Sequence, residues 1–176
     1  GDAHAQQAVA EALGKAACEV GFLYVTGHGV PEARFSALLD AAQQFFALPL
    51  ADKMAVYIGH SRNHRGYVPE GEEVYAGGSK DRKEAYDLSF ELPADDPDYL
   101  AGNPLLGPNQ WPSLPGFREA VGAYYQDVLA VGNDLLRGFA LALGEPAATF
   151  TQHISKPPSQ LRLVHYPFDP QDPNAV

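Results

Sequence analysis

Apolar positions in the first twenty residues return every three or four places. Val9, Leu13, Ala16, Ala17 and Val20 share one side of a helical wheel, while Glu11, Lys15 and Glu19 lie elsewhere on it. The spacing predicts an amphipathic helix of about four turns, ended by Gly21. The pattern then shifts to a compact β-prone run, "FLYVT", which predicts a strand. "GHGVP" turns the chain into a second helix, with Pro31 suited to its first position. Phe35, Leu38, Leu39, Ala42, Phe45 and Phe46 give this helix a wide apolar stripe that stops before Pro49.

Residues 59 to 92 break the helical period. Two β-prone stretches, one around Tyr67 and one from Glu84 to Leu92, flank a Gly-rich polar connection and predict a loose hairpin with a long tip. Residues 93 to 116 are acidic and Pro-rich, and a loop of that length usually covers something or carries a function. Phe117, Val121, Tyr124, Val128, Leu135, Phe139 and Leu143 then keep one face apolar through the longest periodic segment. At 1.5 Å per residue this helix is roughly 40 Å long, and Gly144 is placed as its cap. "EPAATFTQHI" starts a short further helix, and Ser159 to Pro167 reads as a strand. A period of two sends Leu161, Leu163 and His165 to one face, and Arg162, Val164 and Tyr166 to the other. A guanidinium and a phenol leaning together suit a small carboxylate ligand. The same pattern also describes a half-exposed strand with solvated polar groups.

Composition narrows the classes. The 176 residues are 45% hydrophobic and 19% charged, which is globular rather than disordered. Such a length makes one domain or part of a larger one. With a formal net charge of −10 and no Lys/Arg run, the chain lacks the footprint of a nucleic-acid binder. No apolar run approaches the ~20 residues of a membrane span. Cys18 is the only cysteine, so no internal disulfide forms; its apolar helical setting predicts a buried thiol in a reducing, cytoplasmic protein.

Metal and catalytic signatures are thin. His28 lies between two glycines and reads as a turn residue, with a ligand role as the other reading. His60 and His64 are four apart, but Gly59, Asn63 and Gly66 oppose the helix such a metal pair needs, so a zinc protein is a distant reading and loop histidines the nearer one. No histidine is followed two residues later by a carboxylate: the residues there are Gln6, Val30, Arg62, Gly66, Ser155 and Pro167. No nucleophile elbow, P-loop or dinucleotide fingerprint occurs.

Five stretches, "EALGKAACEVGFLYVTGHGVP", "FFALPLADKM", "NHRGYVPEGEE", "KEAYDLSFELP" and "LRLVHYP", together resemble the N-terminal region of the isopenicillin-N-synthase-like family of non-haem iron(II)/2-oxoglutarate-dependent oxygenases. The resemblance implies an α+β fold. A helical and hairpin region over 1–156 leads into a double-stranded β-helix (jelly-roll) core that begins at 157–176 and is incomplete in this chain. It implies a dioxygenase that oxidises a small-molecule substrate with O2 and the cosubstrate 2-oxoglutarate, giving succinate and carbon dioxide; the charge and the short apolar runs already argue against nucleic acid or membrane as partner. Tyr166 matches a position whose tyrosine often helps bind 2-oxoglutarate, and Arg162 one that reaches the cosubstrate's carboxylate in some relatives. Arg65, Tyr67 and Glu73, in the hairpin, are the candidate substrate-facing groups, with a structural role in the hairpin as the equal alternative for each. The family's iron ligands follow this strand, so none is assigned here; they are expected beyond Val176, in a longer enzyme of which this is a segment. A non-catalytic helical interaction module derived from the same family is the alternative.

Overall fold

The computed structural model describes residues 2–72 and 82–167. The first helix, α1 (Ala3–Glu19), begins where the Asp2 carboxylate accepts the His4 amide at 3.1 Å, and ends where the amides of Val20 and Gly21 both reach the Ala16 carbonyl at 3.0 Å. Gly21 takes φ 82° there, a left-handed conformation that glycine adopts without steric cost. α2 (Glu32–Phe46) follows Pro31 directly. A short helix, α3 (Leu50–Met54), comes next, and α4 (Pro97–Leu100) and α5 (Phe117–Ala142) complete the α-helices among the described residues. None of them is long and apolar enough to cross a membrane.

Two compact units account for the described chain, one of residues 2–34 and 123–157, the other of 35–72, 82–122 and 158–167. In the first, small residues decide which side of α1 is buried. A Cβ on Gly14 would stand 3.2 Å from the Ala142 Cβ, and one on Gly138 would stand 2.5 Å from the Leu13 Cδ1. Ala10 and Leu13 are therefore the buried pair, and the expected stripe is corrected at its ends: Val9 is 59% and Val20 68% exposed. Cys18, expected inside, is exposed. "FLYVT" is corrected too. Residues 22–30 form neither helix nor strand, and Phe22 and Tyr24 stand out in solvent. A β-prone run becomes a strand only when a neighbour answers its amides and carbonyls, and no described strand does so here. The short helix expected after Gly144 is reduced to one 3-10 turn, Thr151–His153.

The second unit holds a three-stranded antiparallel sheet, β1 (Gly66–Val68), β2 (Glu84–Ser89) and β3 (Gln160–His165), in the order β1-β2-β3. The predicted hairpin is present, with its tip at 73–81 outside the described residues. The register pairs Tyr67 with Tyr86 and Tyr86 with Leu163 on one face, and Gly66 with Asp87 and Asp87 with Arg162 on the other. Phe45 anchors the first face. It is fully buried, with the rings of Tyr86 and Phe117 at 5.1 Å, Phe46 at 5.3 Å and Tyr67 at 6.0 Å. The long loop covers the hairpin. Tyr86 donates to the Gln110 carbonyl at 2.6 Å, and the Gln110 amide donates to the carbonyls of Arg65 (2.6 Å) and Tyr57 (2.9 Å).

Candidate functional site

Arg162 sits directly opposite Asp87 across the β2–β3 ladder. Its Nε donates to Oδ1 and its Nη2 to Oδ2, both at 2.7 Å, making the two-bond fork that a guanidinium and a carboxylate form best. Asp87 is 1% exposed, while the Arg162 side chain remains 35% exposed. Gly66, the partner of Asp87 on its other flank, carries no side chain. Tyr166 lies one residue past the end of β3 and is 58% exposed. The alternation read from the sequence therefore holds for Leu161, Leu163 and His165 against Arg162 and Val164, each on the face expected.

The opposite face of β2 carries a second buried carboxylate. Glu84 accepts from the Lys53 Nζ and the Tyr67 hydroxyl, each at 2.6 Å, and its other oxygen lies 2.8 Å from the His165 Nδ1. Lys53 also donates to the Phe46 carbonyl at 3.1 Å, and the His165 ring stacks on Phe46. Burial pushes the Glu84 carboxyl upward, but the hydrogen bonds from Lys53, Tyr67 and His165 outweigh it and hold the group below the ordinary range. The Tyr67 phenol is pushed up, by burial first and then by its bond to Glu84; burial does the same to Tyr86.

The hairpin candidates turn inward. Arg65 is 3% exposed and donates to the carbonyls of Asn63 (2.6 Å), His64 (3.2 Å) and Leu105 (2.5 Å), which ties the hairpin to the long loop. Tyr67 is spent on Glu84. Glu73 lies outside the described residues. His60 is exposed with its ring edge against Tyr57, and His64 is an exposed residue at φ 58°. The His28 Nδ1 accepts the Val30 amide at 3.1 Å, as a turn residue would. Among the described residues no group of three or more His, Cys, Asp or Glu side chains is placed to hold a metal ion, so iron does not fit within them.

Sequence reasoning missed Asp87, Glu84 and Lys53. One signal was present: "EAYDLS" places two carboxylates in an otherwise apolar strand, and buried carboxylates demand partners. Which partners, the strand alone does not say.

The family model described as the N-terminal part of non-haem dioxygenases in morphine synthesis matches residues 1–114. A 2-oxoglutarate–iron(II) type oxidoreductase of Emericella nidulans is 35% identical over 161 residues, covering 88% of this chain. The chain belongs to the isopenicillin-N-synthase-like iron(II)/2-oxoglutarate-dependent oxygenase family. A homoarginine-6-hydroxylase of Oryza sativa is 32% identical over 90% of the chain. Among solved structures, a 2-oxoglutarate–iron(II) oxygenase family protein of Caulobacter crescentus superposes with a TM-score of 0.84 at 30% identity, covering 97% of this chain and 55% of that one. A full-length Neurospora crassa protein, solved in complex with α-ketoglutarate, superposes at 0.78 with 25% identity, covering 95% of this chain and 51% of that one. The match is to the N-terminal region, and the chain spans about half the length of the curated relatives: 46% of the Emericella protein and 48% of the Oryza protein.

Proposed function

We propose that this chain works as the N-terminal part of a non-haem oxygenase that oxidises a small molecule with O2 while 2-oxoglutarate is converted to succinate and carbon dioxide. In this reading β3 is an early strand of a jelly-roll core, and the iron ligands are supplied outside the described residues. The chain's own contribution is recognition. Arg162 presents a guanidinium to a carboxylate of 2-oxoglutarate, and the exposed Tyr166 hydroxyl donates a further hydrogen bond. Arg65 and Tyr67 support the site from within by holding the hairpin, and Glu73 remains a candidate substrate contact. The observation that carries the reading is the state of Arg162, a cation ordered by a buried acid on the sheet face away from the aromatic core, yet one-third open to solvent.

The intact protein supplied with iron(II), O2 and candidate small molecules should consume 2-oxoglutarate and release succinate. Arg162→Met should raise the 2-oxoglutarate requirement at least tenfold, because a lost charged carboxylate contact costs more than ~1.4 kcal/mol. An unchanged cosubstrate requirement would remove Arg162 from the site.

A further inference from the structure

We propose that Asp87 is a positioning residue for 2-oxoglutarate recognition, acting through Arg162; this rests on the reading of Arg162 given above. An arginine side chain free to rotate must be ordered when it grips a ligand, and that ordering weakens binding. Here the ordering is complete beforehand. Two parallel bonds of 2.7 Å to Oδ1 and Oδ2 set both the plane and the direction of the guanidinium. The clamp is itself rigid: Asp87 lies in the central strand, is 1% exposed, and is register-paired with Gly66 on one side and Arg162 on the other. With no side chain at Gly66, Arg162 is the cross-strand side chain that answers this carboxylate.

Two physical effects of Asp87 on a bound anion oppose one another, which makes the role testable. Its negative charge repels a carboxylate, so neutralising it should tighten binding if charge were all that mattered. Its fork orders the guanidinium, so breaking the fork should weaken binding if position dominates. Position is expected to dominate, because the two 2.7 Å bonds constrain the guanidinium directly, whereas the Asp87 charge, hydrogen-bonded to that guanidinium, acts on a ligand only from farther away.

The experiment is calorimetric titration of 2-oxoglutarate, without oxygen, into the intact iron(II)-loaded protein and its variants, with thermal melting measured alongside. Asp87→Asn is expected to weaken 2-oxoglutarate binding about tenfold, and to weaken it no further when Arg162→Met is already present. Binding that is unchanged or tighter in Asp87→Asn overturns the inference, as does an equal loss in the Arg162→Met background. A pure strand staple would lower the melting temperature while leaving 2-oxoglutarate binding at the parent level, which would also overturn the inference. If Arg162→Met itself binds 2-oxoglutarate normally, the reading of Arg162 fails first and separately. Should Asp87→Asn not fold, Asp87→Glu keeps the buried charge paired, displaces the fork by one methylene, and carries the same expectation.

Discussion

Burying Glu84 strips its carboxylate of water, and three side chains from distant parts of the chain replace that water: Lys53, Tyr67 and His165. The arrangement is strong only while complete. Lys53→Met would leave a buried carboxylate with its cation gone, and removing one partner of a buried ion pair typically costs about 3–5 kcal/mol. Urea unfolding should show that loss for Lys53→Met, with a good part regained in Lys53→Met/Glu84→Gln, where the uncompensated charge is also gone. A single variant as stable as the parent would mean that the network contributes nothing. None of this is visible around Lys53 in the sequence, where "LADKM" holds nothing that says which group the lysine meets. The lysine is 8% exposed because Glu84, thirty-one positions on, draws it in.

At the scale of elements, β2 grips β3 from both faces. Glu84 meets His165 on one side and Asp87 meets Arg162 on the other, so a slip of one residue would break both pairs and turn the wrong face of β3 inward. The other edge of the sheet depends on Gly66. It holds φ 119°, and a Cβ there would meet the Val56 carbonyl oxygen at 2.2 Å, the same oxygen that accepts the Tyr67 amide at 2.7 Å. Gly66→Ala should therefore destabilise the protein by more than about 2 kcal/mol. Circular dichroism melts check this, and a variant that melts with the parent would show that β1 enters the sheet by another route. The hairpin, the three long helices and β3 were legible because their patterns are local. "FLYVT" was not, because strand propensity records a preference for a pleated, half-buried surface and says nothing about whether a partner strand is at hand.

For the molecule as a whole, pH sensitivity is set at both ends by the same interior. The Glu84 carboxyl is held below its ordinary value of 4.5, so its contribution is complete above that value and is lost as pH falls through the lower folded-state value. The phenols of Tyr67 and Tyr86 are pushed above their ordinary 10.0. Their contribution is complete below that value and is lost as pH rises past about 10, where the unfolded phenols ionise first. The free energy of unfolding, followed across pH, should show a plateau at neutral pH and decline on both sides. Tyrosinate absorbance from these two residues should appear only with unfolding; early titration of both would contradict their burial.

What the sequence by itself determined is what repeats over short distances: helix at a period of 3.6, strand at a period of two, the two faces of β3, and the five stretches that mark the family. Tertiary structure decided what depends on neighbours far along the chain. It selected Ala10 and Leu13 rather than Val9 and Val20 as the buried side of α1, left Cys18 exposed, and turned Arg65 and Tyr67 inward. It also paired Arg162 with an aspartate seventy-five positions away. The reason is one of range. Periodicity says which side chains share a face, but whether that face meets solvent, apolar packing or an opposite charge is settled by whatever the fold brings against it.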